Sequence, residues 1–303
     1  MVYKLRWYNS QLKEQEKEIP ERIYEDLKKA KAYFLFSIDL EEKIALVIDN
    51  YLEYETEILS ICEYSRVRGI RKHIDMMNDR LKMDRRIINL LTSTRLFLDH
   101  TSHSLSKFYD KETIPRLFKQ IRRQEYDKYF SYRFLEEFRN YVQHAKLPIN
   151  IISYSGKTTQ ENHESYSRMT VKLLLDLYVL SEDKSFKKGI LQEAQKTSSN
   201  NKIDLRPNIR EYISCFIRIY KEIKKATHSD RIKYKKVLSD SFKEISSNKS
   251  KSIQYFELIN EDNNSNHLNK VFFSIDLLEY FDFLSDKNKI HPNVEKSYSS
   301  NIL

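Results

Sequence analysis

Apolar positions recur along this chain at steps of three and four, with charged residues between them, and that period predicts helices. The clearest run lies between Leu40 and Tyr64, where Ile44, Val47, Ile48, Tyr51, Leu52, Tyr54, Ile58 and Ile61 keep mostly to those steps. An amphipathic stretch over residues 21–36 precedes it, in an N-terminal region otherwise dominated by charge. Gly69, inside RVRGIR, interrupts the pattern. A long helix is expected over residues 74–109, its stripe marked by Ile87, Leu91, Leu98 and Leu105. The next opens near Ile114, with Pro115 in a first turn that can spare its amide hydrogen. It runs to Ala145 with a break around residues 125–129, and Phe130, Phe134, Phe138, Tyr141 and Val142 form its apolar face. Pro148 stops it, because the residue before a proline is pushed out of the helical region.

Residues 149–165 carry Gly156 and several Ser, Thr and Asn, and read as a long loop or a short strand pair. Helices are expected again at 167–181, 186–196, 208–226 and 229–246. The run SSNKSKS at 246–252 reads as a linker. Beyond it, 253–259 and 271–275 alternate enough to be short strands, and 277–284 reads as a closing helix. The chain shows no internal repeat and no long heptad run. The fold class expected is therefore all-α in the main. A helical bundle would cover 74–247, with an N-terminal helical extension over 1–73 and a small C-terminal α+β appendage over 253–303.

Composition supports the helical picture, since three Gly and five Pro leave little material for tight turns. A hydrophobic share of 40% is enough for a core. The net charge of +9 favours polyanionic partners, because each phosphate contact releases counterions. No stretch approaches roughly 18 uncharged apolar residues, and the N-terminal segment turns charged at once. A soluble, cytoplasmic protein without membrane contact is the expectation. Cys62 and Cys215 then read as buried free thiols. Walker A, GxGxxG, CxxC, HExxH and GxSxG patterns are all missing, which sets aside the enzyme classes they mark and leaves no cofactor expected.

The candidate chemistry sits in RNYVQH, residues 139–144, at the end of an amphipathic helix. RNA cleavage without a metal needs few parts. The imidazole of His144 can take the 2′-hydroxyl proton or protonate the leaving group, because imidazole chemistry suits proton transfer near neutral pH. The guanidinium of Arg139 can stabilise charge on the phosphoryl oxygens. Asn140, four residues before His144 and on the same face, can fix the ring's tautomer. Arg139 and His144 are about 140° apart on an ideal helix, so Arg139 must curl round, the helix must distort, or a second chain must contribute. The bland alternative is a solvent-facing Arg and a His placed favourably near a helix C-terminus.

RNYVQH at this position resembles the Arg-x(4–6)-His signature of HEPN domains in its Arg-Asn form, over roughly residues 75–148. The resemblance implies a helical bundle, often dimeric, and a metal-independent endoribonuclease of toxin–antitoxin or antiviral defence systems. It implies that Arg139 and His144 are catalytic with Asn140 in support, and that two motifs meet in a homodimer with a composite active site. The spacing itself is common: Arg95–His100, Arg68–His73 and Arg66–His73 also fit. Only the 139–144 match carries the Asn and a proline stop. Asp99 and His103 on the preceding helix are candidate cleft-lining residues. With His100 they have helical spacing for a metal pair, but nothing nearby supplies further ligands, so no metal is expected. Lys119, Arg122 and Arg123, followed by Tyr126, Tyr129 and Tyr132, are candidates to track an RNA backbone and stack bases. The rival reading is a non-catalytic helical RNA- or protein-binding module, antitoxin-like or a scaffold. Either reading leaves room for a regulatory protein partner.

Overall fold

The structure, a computed structural model, describes residues 2–8, 14–69, 72–161, 164–247, 255–261 and 268–296. It corrects the fold class. Among the described residues, nine α-helices are accompanied by seven strands in two antiparallel sheets, so the chain is α+β and not mainly all-α. The helices are α1 (Glu21–Arg68), α2 (His73–Phe108), α3 (Ile114–Lys128), α4 (Phe130–His144), α5 (Leu177–Ser181), α6 (Lys188–Thr197), α7 (Leu205–Ala226), α8 (His228–Ser247) and α9 (Asp276–Lys287). The strands are β1 (Val2–Tyr8), β2 (Glu14–Glu18), β3 (Ile151–Glu161), β4 (Glu164–Asp176), β5 (Lys202–Asp204), β6 (Tyr255–Glu261) and β7 (Leu268–Ser274). Most of the expected linker, 246–252, lies outside the described residues, as does Arg71 in the RVRGIR break.

The chain divides into two compact units, neither of them a consecutive segment as the sequence reading had it. Unit 1 comprises Met1–Ala45, Ser104–Asp110 and Ile223–Lys289, and unit 2 comprises Leu46–His103, Lys111–Glu222 and Ile290–Leu303.

Unit 1 is built on the sheet β2-β1-β6-β7. Tyr3, Leu5 and Trp7 alternate toward its core, where Leu5 meets Tyr24, Phe34, Phe242, Phe256 and Phe281. This period of two is what makes residues 2–8 a strand and not part of a helical extension. On the other face Lys4 pairs with Glu261 at 2.8 Å and Arg6 with Glu14 at 2.9 Å, so the intervening positions carry cross-strand ion pairs. The register sets Leu5 against Lys17 on β2 and against Leu258 on β6.

Unit 2 carries the long β3–β4 hairpin, with β5 on its edge. The expected helix at 167–181 is therefore corrected: 164–176 is strand, and only 177–181 is helical. Val171, Leu173 and Leu175 are buried at alternate positions, a strand period that the run Leu173-Leu174-Leu175 hides from a helical count. Before β5, Asn200 and Asn201 both take positive φ, 52° and 55°, closing a tight turn in which Ser199 and Lys202 exchange hydrogen bonds. Asparagine tolerates that conformation better than most residues.

The helix breaks fall where the sequence places them. Gly69 takes φ +80° directly after α1, and its amide donates to the Ser65 carbonyl. Tyr129 is extended between α3 and α4, and the Arg133 guanidinium donates to the freed carbonyls of Tyr126 (2.6 Å) and Asp127 (3.0 Å). Beyond α4, the buried carboxylate of Asp84 accepts the Ile149 amide at 2.8 Å, fixing the chain as it enters β3.

Burial raises the Asp84 pKa from 3.8 to about 6, with the Ile149 amide and Arg80 opposing. Between those values the folded chain keeps a proton that the unfolded chain has released, so Asp84 costs stability as pH rises through that window. Asp84→Asn keeps an acceptor for Ile149 and carries no charge. It is expected to stabilise the chain by about 1–2 kcal/mol above the window and to flatten the pH dependence within it. Urea unfolding across the window checks this, and an unchanged slope would remove Asp84 as its source.

No described helix is long and apolar enough to cross a membrane. Cys62 and Cys215 are both free, and burial pushes each thiol above its ordinary pKa.

Candidate functional site

Helix α4 carries the 139–144 motif because its apolar face faces inward. Phe134 and Phe138 are fully buried and stack at 5.7 Å, while Tyr141 is packed beside Phe138. Arg139 and Asn140 lie off that face, half-buried and exposed respectively. The Arg139 guanidinium donates to Gln143 Oε1 at 2.9 Å and to Asn140 Oδ1 at 2.6 Å. Asn140 therefore serves the arginine, not the imidazole. His144 is exposed and makes no hydrogen bond or ion pair among the described residues. It opens into a shallow hollow of about 580 Å³ with Arg80, Lys146 and Asn150.

Arg139 and Asn140 open elsewhere, into a cleft of about 460 Å³. In one chain, then, the three motif residues do not meet. The five-residue spacing of Arg139 and His144 on a regular helix accounts for the divergence.

That cleft gathers residues which the sequence offered separately. Lys119, Arg122 and Arg123 of α3 line it with Arg139 and Asn140 of α4, brought together by the turn at Tyr129. Arg95, Arg133, Lys187, Tyr126 and Tyr132 complete most of the wall, giving seven cationic side chains against the carboxylates of Glu136 and Glu137. Both carboxylates are occupied: Glu137 pairs with Lys187 at 2.8 Å, and Glu136 accepts from the Tyr212 hydroxyl at 2.6 Å. Arg95, Arg123 and Arg133 are paired with Asp99, Asp127 and Glu193. Lys119, Arg122 and Arg139 have no carboxylate partner among the described residues, so their charge is left for a ligand or solvent. Arg122 lies over the Phe118 ring, 5.5 Å from its centre.

Tyr132 is buried at the wall against Tyr212 and Phe216. Burial raises its pKa, Glu136 adds to the rise, and Arg122 opposes it from beside the hydroxyl. Sequence reasoning missed Arg133 and Lys187, which enter through tertiary packing and carry no local signal. Arg95 had entered only as a competing motif spacing.

Asp99 and His103 are exposed and line neither concavity. The Asp99 carboxylate is taken by Arg95 at 2.6 Å. No group of three His, Cys, Asp or Glu side chains is placed to hold a metal ion among the described residues. A larger cleft of about 800 Å³ in unit 2 mixes Lys172, Lys202, Asp204, Arg210 and Glu295. Part of its charge is settled within the chain: Arg210 clamps Glu55 through two 2.7 Å bonds, and Asp204 holds Arg206.

Comparison of the chain with protein-family models, with curated proteins and with solved structures finds no match. The HEPN resemblance rests on the 139–144 motif alone.

Proposed function

We propose that this chain binds single-stranded RNA, with phosphate held in the cationic cleft of unit 2. The observation that carries the reading is the convergence of Lys119, Arg122 and Arg139, three cations without carboxylate partners, in one concavity. Coulombic attraction and counterion release favour a polyanion there. Tyr126, half-buried at the same wall, offers an aromatic ring to a base that is not already stacked in a duplex.

Replacing Lys119, Arg122 and Arg139 together by alanine is expected to weaken RNA binding about a hundredfold at low salt and to shallow the salt dependence. Fluorescence anisotropy with a labelled single-stranded RNA, in excess EDTA, measures both. Equal affinity of variant and wild type would move binding elsewhere on the chain, and equal affinity for the matching DNA would broaden the ligand to nucleic acid in general.

A second reading, metal-independent endoribonuclease action, is favoured by the exposure of the His144 imidazole one turn beyond the cleft residues. His144 would take the 2′-hydroxyl proton as that oxygen attacks phosphorus, and the 5′-oxygen would leave as its bond to phosphorus breaks, taking a proton from water. The products would be a 2′,3′-cyclic phosphate and a 5′-hydroxyl. Because His144 and Arg139 diverge within one chain, this reading needs the two residues from different copies. Cleavage of RNA in EDTA that is lost in His144→Ala, and restored by mixing that variant with Arg139→Ala, supports it. Intact RNA under conditions where binding is saturated rejects it.

A further inference from the structure

Building on the RNA reading, we infer that the cleft seats a terminal phosphate monoester, the end of a strand or a free nucleotide, and does not track an internal backbone. Size is the first argument. About 460 Å³ lies in the range of small-molecule pockets, whereas strand-tracking grooves engage roughly 4–16 nucleotides.

Charge is the second. An internal phosphodiester brings one negative charge and two non-bridging oxygens. A terminal monoester brings nearly two charges at neutral pH and three strong acceptor oxygens. Three cations without carboxylate partners match the monoester better, and the two carboxylates in the wall are already engaged by Tyr212 and Lys187.

The third argument is an excess of donors. The Nε atoms of Arg122 and Arg139 are buried in this wall, and neither has a hydrogen-bond partner among the described residues. Buried donors are almost always matched to an acceptor, and the oxygens of a phosphate can supply one. A phosphate entering between the two guanidinium groups brings those acceptors as the arginine side chains turn toward it. Tyr132 stands behind Arg122 as a positioning residue, its ring held by Phe216 and Tyr212.

The test uses the full chain and one short single-stranded RNA in four forms: 5′-phosphorylated, 3′-phosphorylated, hydroxyl at both ends, and circular. Competition by a nucleoside monophosphate separates a free nucleotide from a strand end. One phosphorylated form is expected to bind at least about tenfold more tightly than the hydroxyl-ended form, and Tyr132→Phe is expected to bring that ratio toward one. Phosphorus NMR of the bound strand with the wild-type chain gives a readout independent of any variant: the second pKa of the terminal phosphate should fall, because the cleft favours the dianion. Equal binding of all four forms overturns the inference and leaves RNA binding standing. Failure of every form to bind removes the RNA reading itself.

Discussion

Replacing Glu41 by glutamine is expected to destabilise unit 1 by about 3–5 kcal/mol. Glu41 has no solvent exposure and sits at the centre of a buried polar cluster. Arg231, itself 5% exposed, pairs with its Oε1, Lys224 approaches the same oxygen at 3.2 Å, and Asn288 donates to Oε2 at 2.7 Å. Glutamine keeps the volume and one acceptor but removes the charge that two cations share. The penalty is that of a buried guanidinium left without its counter-ion, which exceeds what the intact pair contributes. Lys224 adds a pH signature. Burial lowers its pKa and Glu41 opposes that, so without Glu41 the pKa falls further. Between its folded and unfolded values the unfolded chain binds more protons, so stability rises with pH there. The deficit of the variant should therefore narrow under alkaline conditions. The chain's one tryptophan, Trp7, packs against the core of unit 1, and its fluorescence during urea unfolding reports on that unit. A loss below about 1 kcal/mol would mean that the cluster is hydrated or rearranges.

Phe216→Ala is expected to cost unit 2 about 3–5 kcal/mol, and to weaken the cleft at the same time. Phe216 is fully buried on α7, with Phe97, Tyr132 and Tyr212 around it at ring separations of 6.0, 5.8 and 4.8 Å. Truncation removes the transfer free energy of the ring and leaves a void bordered by stiff aromatic neighbours that cannot close over it. One of those neighbours is Tyr132, so the cleft wall loses its backing and the proposed RNA affinity should fall with stability. Phe216→Leu fills more of the space and should cost less than Phe216→Ala. Far-ultraviolet circular dichroism during urea unfolding gives the stability, and anisotropy with labelled RNA gives the affinity. A stability loss with RNA affinity unchanged would separate the core from the site.

Much of the helical framework was legible because its signals are local. A period near 3.6 held over many turns, a glycine after Arg68 and a proline at 148 each act within a few residues of themselves. The strands were harder wherever their partners lie far away in sequence. Tyr3, Leu5 and Trp7 alternate, but seven residues with two cations among them look like part of a charged segment until β6 supplies the other side. Residues 171–175 satisfy both periods, and only the β3 register decides between them.

The site divides the same way. The residue types of the cleft were visible as two separate groups, Lys119-Arg122-Arg123 and Arg139-Asn140. Their convergence was not, since it depends on the turn at Tyr129. The divergence of His144 from Arg139 was already implied by helix geometry. The capture of the Asn140 amide by Arg139 was not, because a sequence does not say which of two neighbours a side chain will choose.

The sheet of unit 1 sets an order for biosynthesis. β1 pairs with β2 on one edge, but its other partner, β6, begins at Tyr255, and all of 111–222 is translated in between. At about 5–20 residues per second, the first hairpin waits on the order of 10–50 s for that partner. During this interval its free edge and the apolar side chains of Tyr3, Leu5 and Trp7 are open to chaperones or to neighbouring nascent chains. By then all of unit 2 except 290–303 has been translated, so that unit can begin to fold ahead. A ribosome stalled before Tyr255 would therefore carry the residues of the cationic cleft and an unfinished sheet, and quality-control proteases would find their first purchase at the β1–β2 hairpin.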